Sequence, residues 1–397
     1  MSGIALRSAF SFVGAGLSAL WSRPRGQVPG LDALRSLAVL MVVTGHYFGD
    51  FSTHTDTNLA IGKFPLIHFG WAGVDLFFVL SGYLIGRQLW LEFQRRNAID
   101  VPIFLARRGL RIWPYYFAFI AWAMLTSGDP ASRYIPDIFF FSNYVDNGIS
   151  GGWSLSTEEQ FYILVPLLIL AAAKFCSLDR QWMLWLSLFA ILPFLRYITL
   201  SQHDGPIVDP LPVHLIYTPF HTHSDGLFAG LLIGWVSVLR SDYLGPTTFR
   251  RNLATLLCFV IAGAALRVVD KFLFAYTGLA LIFAGMVVFV LRDRTVFSKL
   301  ADNRTFYVLS RLSYAMYLNH FALLAWAMPA LVLWLNRHHL GASLTGFTIG
   351  YTVILGASVA LAAVTFVTIE SPFLRMRDRW LENRKRLRSA QVASDSV

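Results

Sequence analysis

Charge is what this chain has least of. Asp, Glu, Lys and Arg make up 14% of the 397 residues, against 56% hydrophobic, and the mean hydropathy is +0.55. A soluble globular chain carries about 25% charged residues. The shortage excludes an ordinary soluble fold and points to lipid, as do the 33 Phe and 12 Trp. Cysteine is scarcer still. Cys176 and Cys258 are too few for a disulfide framework or a zinc set, and no metal is expected. The 33 Lys and Arg outnumber the 23 Asp and Glu, for a net charge of +10. These basic residues lie between apolar runs and do not form stripes interleaved with stacking aromatics. Membrane lipid is therefore the expected surroundings, and no nucleic-acid partner is expected.

What is present is a series of apolar runs, each near the ~20 residues a helix needs to cross hydrocarbon. They fall at roughly 31–50, 69–90, 112–127, 158–173, 182–200, 220–239, 251–266, 272–291, 306–335 and 342–369. Lipid cannot satisfy free backbone groups, and the runs are too long for barrel strands. The expected fold is all-α: a polytopic membrane helical bundle of about ten transmembrane helices. With the N-terminus inside, most Lys and Arg fall on inner segments. Only Lys63, Arg133, Arg196, Arg267, Lys271 and Arg337 fall outside. That asymmetry predicts both termini in the cytoplasm and a location in the cell inner (plasma) membrane. Residues 29–372 form the expected membrane domain and 373–397 a basic cytoplasmic tail. Residues 1–28 read as an interfacial or cytoplasmic segment, and the apolar stretch 4–21 leaves an extra span open. No internal repeat is visible, and no soluble domain is expected at either end.

Ionisable groups inside spans are costly, so each is a functional candidate. In LDALRSLAVLMVVTGHYFG, Arg35 and His46 are eleven residues apart, about three turns at ~100° per residue. Both fall on one face, ~16 Å apart along the axis, a cation near the inner end and a titratable base near the outer end. Snorkelling of Arg35 and interfacial hydrogen bonding of His46 fit as well. In GVDLFFVLSGYLIGR, Asp75 needs a partner that the sequence does not name, and Ser81 and Gly82 interrupt the bulky side chains. In ARRGLRIWP, Arg108 and Arg111 share a helix face; guanidinium pairs suit a phosphate, and positive-inside topology also explains them.

GGWSLSTEEQFYILVP is the most unusual segment. Glu158, Phe161 and Tyr162 lie on one face, at about the depth of His46, where a carboxylate can serve an imidazole as a general base. Helix capping by Ser154 or Ser156, with Glu158 and Glu159 at the helix start, explains the same residues. In FHTHSDGLFAGLLIG, His221 and Asp225 are an i, i+4 pair, and Gly226, Gly230 and Gly234 form a smooth packing strip. In SRLSYAMYLNH, Ser313, Tyr317 and His320 share a face.

In order and spacing, these segments resemble the acyltransferase-3 family of integral membrane acyltransferases. The resemblance runs through LDALRSLAVLMVVTGH, GVDLFFVLSGYLI, RRGLRIWP, WSLSTEEQFYILVP, DGLFAG and SYAMYLNH, hence through most of the chain. The family's Arg and His, ten residues between them, match Arg35 and His46. Its paired arginines match Arg108 and Arg111, and its Trp-Ser-Leu…Glu motif matches Trp153, Ser154, Leu155 and Glu158. Thr157 stands where an aliphatic residue is usual. The chain resembles single-domain members without an esterase-like domain, which favours glycans, lipid-linked sugars or small secreted compounds over peptidoglycan as acceptor.

The resemblance implies an enzyme that moves an acyl group, acetyl above all, onto a hydroxyl of such an acceptor. Acyl-CoA is the expected co-substrate, with no bound cofactor. Arg108, Arg111 and Arg35 are expected to hold its phosphates, with His46 as base and Glu158 orienting it. Asp75, Ser81, Trp153, Ser154, Tyr162, Asp225, Tyr317 and His320 are expected to support the site. A transporter or flippase of an envelope precursor would also bury charges and break helices. Against it, no paired broken helices recur in two related halves.

Overall fold

All the predicted apolar runs fold as helix. The computed structural model describes residues 14, 16–21, 23, 26–55, 62, 64–205, 213–293, 295–341 and 343–395. The principal helices are α1 (Pro29–Thr55), α2 (Gly73–Arg96), α3 (Val101–Thr126), α4 (Gly152–Phe175), α5 (Leu178–Ser201, a broken helix) and α6 (Asp225–Leu239). They continue with α7 (Phe249–Val269), α8 (Ala275–Arg292), α9 (Arg304–Arg337), α10 (Leu344–Thr365) and α11 (Ser371–Asp395). No strand occurs among the described residues. Among the described residues, eight helical segments are long and apolar enough to cross a membrane, so the protein is a multi-pass membrane protein. The other two predicted spans are α3 and α6. The arginines of α3 break its apolar run. The 15 residues of α6 rise only about 22 Å, less than the ~30 Å hydrocarbon core. Most of the stretch 4–21 lies outside the described residues; Leu20, within it, is buried in the apolar cluster that includes Phe366 and Val367.

Two packings place the functional residues. The first is α1 against α9. Asp32 accepts from Ser310 Oγ at 2.9 Å near one end, and His46 meets His320 at 3.0 Å further along, so the two helices run parallel. Arg23, ahead of α1, fastens that end through Asp32 at 3.2 Å and through Asp302. The second is α2 against α6, where the glycine strip lets the backbones touch. A Cβ at Gly226 would come within 2.8 Å of Phe78 Cβ and 3.0 Å of the Asp75 carbonyl. At Gly234 it would meet the Arg87 nitrogen at 2.8 Å, and at Gly82 it would run into the Leu227 carbonyl. Small residues permit this approach in lipid, where helix association relies on close packing.

Helix starts differ from the sequence reading at two informative places. α3 begins at Val101, capped by Asp100 Oδ1 on the Ile103 nitrogen at 3.2 Å, and Pro114 lies inside it. Arg107, Arg108 and Arg111 therefore sit within a helix and project sideways into the bundle. α4 begins at Gly152, after Gly151 turns the chain with φ +78°. Its N-cap makes no side-chain hydrogen bond, so neither Ser154 nor Ser156 is a cap, and Glu158 lies beyond the first turn.

Backbone contact at the α2–α6 strip gives a direct test. Gly230→Val would push a side chain into the Val79 carbonyl and, at 2.7 Å, the Tyr83 nitrogen. It is expected to cost on the order of 1–3 kcal/mol or more and to lower the melting temperature of detergent-solubilised protein. Gly356→Ala, where the added carbon meets open space, is expected to leave the melting temperature unchanged or slightly raised.

Candidate active site

A cleft of about 100 Å³ opens between α1, α2, α3, α4 and α9. One end is cationic, with Arg35, Arg108 and Arg111 in its wall; Ser81, Glu158 and Tyr162 line the middle; Ser154, Ser313 and Tyr317 stand at the other side. Five helices thus bring together residues scattered through the sequence. Each helix contributes one face, since residues three and four apart are neighbours on a helix. Both carboxylate oxygens of Glu158 are engaged. One accepts from Ser81 Oγ at 2.8 Å and the other from Tyr162 at 2.5 Å. The guanidinium groups of Arg35 and Arg108 lie within electrostatic range of it. Arg108 donates to Gln88 Oε1 at 2.9 Å and stacks 5.7 Å from the Tyr162 ring. None of these hydrogen bonds joins Glu158 to His46, the pairing expected from their similar depth.

The arginine cluster is larger than the motif suggested. Arg311 on α9 faces Arg35 and Arg111, and buried Glu370 stands near Arg111 and Arg311. Glu370 closes the π-helical turn Phe366–Glu370 between α10 and α11. A π-turn inside a long helix frequently marks a functional site. A second cavity, of about 600 Å³, shares Leu84, Arg108 and Arg111 with the cleft. Its wall adds Arg87, Gln88, Arg95, Arg96 and Arg107, and Arg384 from α11. A basic vestibule therefore leads into a narrow polar cleft.

His46 lies beyond Tyr317. The Tyr317 hydroxyl is 2.7 Å from Ser154 Oγ and 3.1 Å from the Gly151 carbonyl it donates to, and its ring is 5.8 Å from that of His320. His320 is fully buried, and its Nε2 is 3.0 Å from His46 Nδ1. His46 itself is half-buried. Arg35 thus lies in the cleft wall, whereas His46 and His320 do not line the cleft and stand behind Tyr317.

Asp75, Asp225 and Trp153 belong to a neighbouring buried network. Asp75 Oδ1 pairs with His223 Nε2 at 2.9 Å, and His223 Nδ1 is 2.5 Å from the Tyr217 carbonyl. Trp153 stacks on His223 at 5.6 Å between ring centres. Asp225 does not pair with His221, which stacks on Tyr144 instead. Asp225 binds Arg196 through both oxygens, at 2.7 and 3.1 Å, and accepts from Thr277 at 2.5 Å. Arg196, counted above among the outer-segment charges, is fully buried. The loop that opens α4 is pinned by Asp137, whose Oδ2 accepts from the Gly148 and Ile149 nitrogens at 2.9 and 3.2 Å. Burial pushes the Asp137 carboxyl up to about 6. The missed partners His223, Arg196 and Glu370 did carry a signal, each being ionisable beside an apolar run, but nothing in the sequence joins them to their partners.

Fold and site define a multi-pass helical membrane protein with an arginine-lined cleft that runs toward a histidine pair. The chain belongs to the acyltransferase-3 family of acyl-transferring membrane enzymes: the family model described as "Acyltransferase domain" matches residues 28–367. It is 26% identical to the peptidoglycan O-acetyltransferase OatA of Listeria monocytogenes, over 77% of this chain and 51% of that one. It is 27% identical to YrhL of Bacillus subtilis, named a putative peptidoglycan O-acetyltransferase, over 76% of this chain and 49% of that one. A shorter match, 31% identical over 36% of this chain and 24% of the other, is to the O-acetyltransferase OatA of Staphylococcus aureus. The chain spans about half the length of the first two relatives. No solved structure matches it.

The Arg196–Asp225 pair lets the second network be separated from the cleft. Removing one partner from a buried ion pair leaves an uncompensated charge and costs about 3–5 kcal/mol. Asp225→Ala is expected to lose that much, read as thermal unfolding in detergent, and Arg196→Met combined with Asp225→Leu to recover most of it. Equal stability of the Asp225→Ala protein and the parent would show that the pair does not hold the bundle.

Proposed function

We propose that the protein is an O-acyltransferase of the cell inner membrane that moves an acyl group, acetyl in the first instance, from cytoplasmic acyl-CoA to a hydroxyl of an envelope glycan. The supporting observation is the run of polar side chains from the basic vestibule, past Arg35, Ser81, Glu158 and Tyr162, to Ser154 and Tyr317, whose ring lies 5.8 Å from that of His320, the partner of the half-buried His46. About ten spans with both termini cytoplasmic put the vestibule on the inner side, in keeping with the Lys and Arg asymmetry. The names of the relatives favour a glycan acceptor, peptidoglycan included; a lipid-linked sugar or a secreted small molecule satisfies the same site chemistry.

The donor's phosphates bind at Arg107, Arg108 and Arg111, with Arg35 deeper and Arg384 across the vestibule. Guanidinium groups suit this because their planar forks form charge-assisted bonds to phosphate oxygens. The pantetheine arm lies along the cleft and carries the thioester toward Ser154 and Tyr317. Glu158 balances part of the arginine charge and, through Ser81 and Tyr162, shapes the cleft wall. The acceptor comes from the far side. His46 takes the proton from its hydroxyl as the oxygen attacks the thioester carbonyl. The carbon–sulfur bond then breaks, CoA leaves as a thiolate, and the proton held by His46 is returned to solvent or to that sulfur.

Purified protein in lipid nanodiscs, supplied with labelled acetyl-CoA and envelope glycan, tests this reading. His46→Ala is expected to slow transfer by about 10²- to 10⁴-fold, the usual contribution of a positioned general base. Arg108→Ala is expected to raise the KM for acetyl-CoA about tenfold or more, since a charge-assisted bond is worth about 1.5–3 kcal/mol. Normal transfer by the His46→Ala protein would remove His46 as the base. Undiminished acetyl-CoA affinity in Arg108→Ala would remove the phosphate role.

A further inference from the structure

His320 is the one imidazole in contact with His46, and the hydrogen bonds around the two rings fix which nitrogen carries each proton. We infer that His320 is a positioning residue that locks His46 into the tautomer with its proton on Nδ1, leaving Nε2 of His46 as the atom that accepts the proton of the attacking hydroxyl. This rests on the reading of His46 as the base.

His320 Nδ1 lies 3.2 Å from the Met316 carbonyl oxygen. A carbonyl oxygen only accepts, so Nδ1 of His320 carries the hydrogen. A neutral imidazole has a single N–H, so Nε2 of His320 is bare and can only accept. It faces His46 Nδ1 at 3.0 Å, and His46 Nδ1 must therefore donate. The second nitrogen of His46 then keeps its lone pair. The opposite assignment would set the lone pair of His320 Nδ1 against that of the Met316 carbonyl. A doubly protonated His320 is also disfavoured. Its ring is fully buried among Phe321, Tyr317 and His46, with ring centres 4.1, 5.8 and 5.1 Å away, and an unpaired buried cation is costly.

Burial divides the two roles. The buried ring of His320 cannot be the one an acceptor reaches, whereas His46 is only half-buried. When His46 takes up a proton, its Nδ1–H bond to His320 becomes charge-assisted and strengthens, so the pair stabilises the imidazolium at the moment it forms. Nothing is consumed: one proton leaves the hydroxyl, resides on His46 Nε2 and departs with the product thiol or to solvent.

The test is nitrogen NMR of the full-length protein in nanodiscs with ¹⁵N-labelled histidine, the His46 signals assigned by their loss in His46→Ala. At neutral pH the parent should show a protonated Nδ1 and a bare Nε2 on His46. His320→Leu, which removes the acceptor, should shift His46 toward the other tautomer and slow transfer by about 10²- to 10⁴-fold, the contribution of a positioned general base. His320→Gln, whose side-chain oxygen can accept from His46 Nδ1, should restore the tautomer and return the rate to within about tenfold of the parent. A bare Nδ1 on His46 in the parent protein overturns the inference and needs no variant. So does a glutamine variant no better than the leucine variant at equal melting temperature. Failure of the base reading looks different: there, His46→Ala itself keeps the normal rate.

Discussion

Lipid cannot solvate a charge, so each arginine inside this bundle must find its partner in the protein. That constraint shapes everything around the cleft. Arg35, Arg108, Arg111 and Arg311 converge from α1, α3 and α9, and Glu158 and Glu370 are brought to them from α4 and from the π-turn after α10. With more guanidinium than carboxylate in the group, the cluster remains an anion site. The vestibule adds further arginines, so an anionic ligand is drawn first to the wide cavity and then toward the narrow one. The same constraint holds the second network closed. Arg196 is engaged by Asp225, Thr277 and the Leu273 and Thr222 carbonyls, and Asp75 Oδ1 meets His223 beside the α2–α6 glycine strip.

The two networks therefore divide the labour. One is buried and closely paired behind the Phe78 wall of the cleft, and it fixes α2, α5, α6 and α8 as a frame. The other lines free volume and has charge to spare. Trp153 and Ser154, adjacent in sequence, fall on opposite sides of that division: the indole stacks on His223 in the frame, and the hydroxyl reaches Tyr317 beside the cleft. A rigid support behind a polar cleft is what a reaction needs if its groups are to be held in place before the substrate arrives.

Much of this was legible from the residues. The apolar runs located the helices, because hydrophobicity over ~20 residues has one physical meaning. The faces were legible too: Arg35 with His46, Ser313 with Tyr317 and His320, and the glycine strip follow from helical periodicity. What periodicity cannot supply is the rotation of one helix against another. Glu158 is expected at the depth of His46, yet it lies near Arg35 and Arg108 and turns to Ser81 and Tyr162, while His46 turns to His320. Asp75 meets His223 across a long stretch of sequence, and Arg196 read as a loop charge because the broken α5 carries it into the interior. The capping account of the Trp-Ser-Leu segment failed for a local reason. Gly151 turns the chain through a positive φ, so the helix starts earlier and needs no side-chain cap.

The central claim is that one polar route connects the basic vestibule to the histidine pair. The most direct measurement is the structure of the protein in lipid with a non-reactive thioether analogue of acetyl-CoA. The account predicts the diphosphate against Arg107, Arg108 and Arg111, the pantetheine arm beside Ser81 and Tyr162, and the acyl end between Tyr317 and His46. An analogue bound outside the cleft, or one whose acyl end points into lipid away from His46, would contradict it.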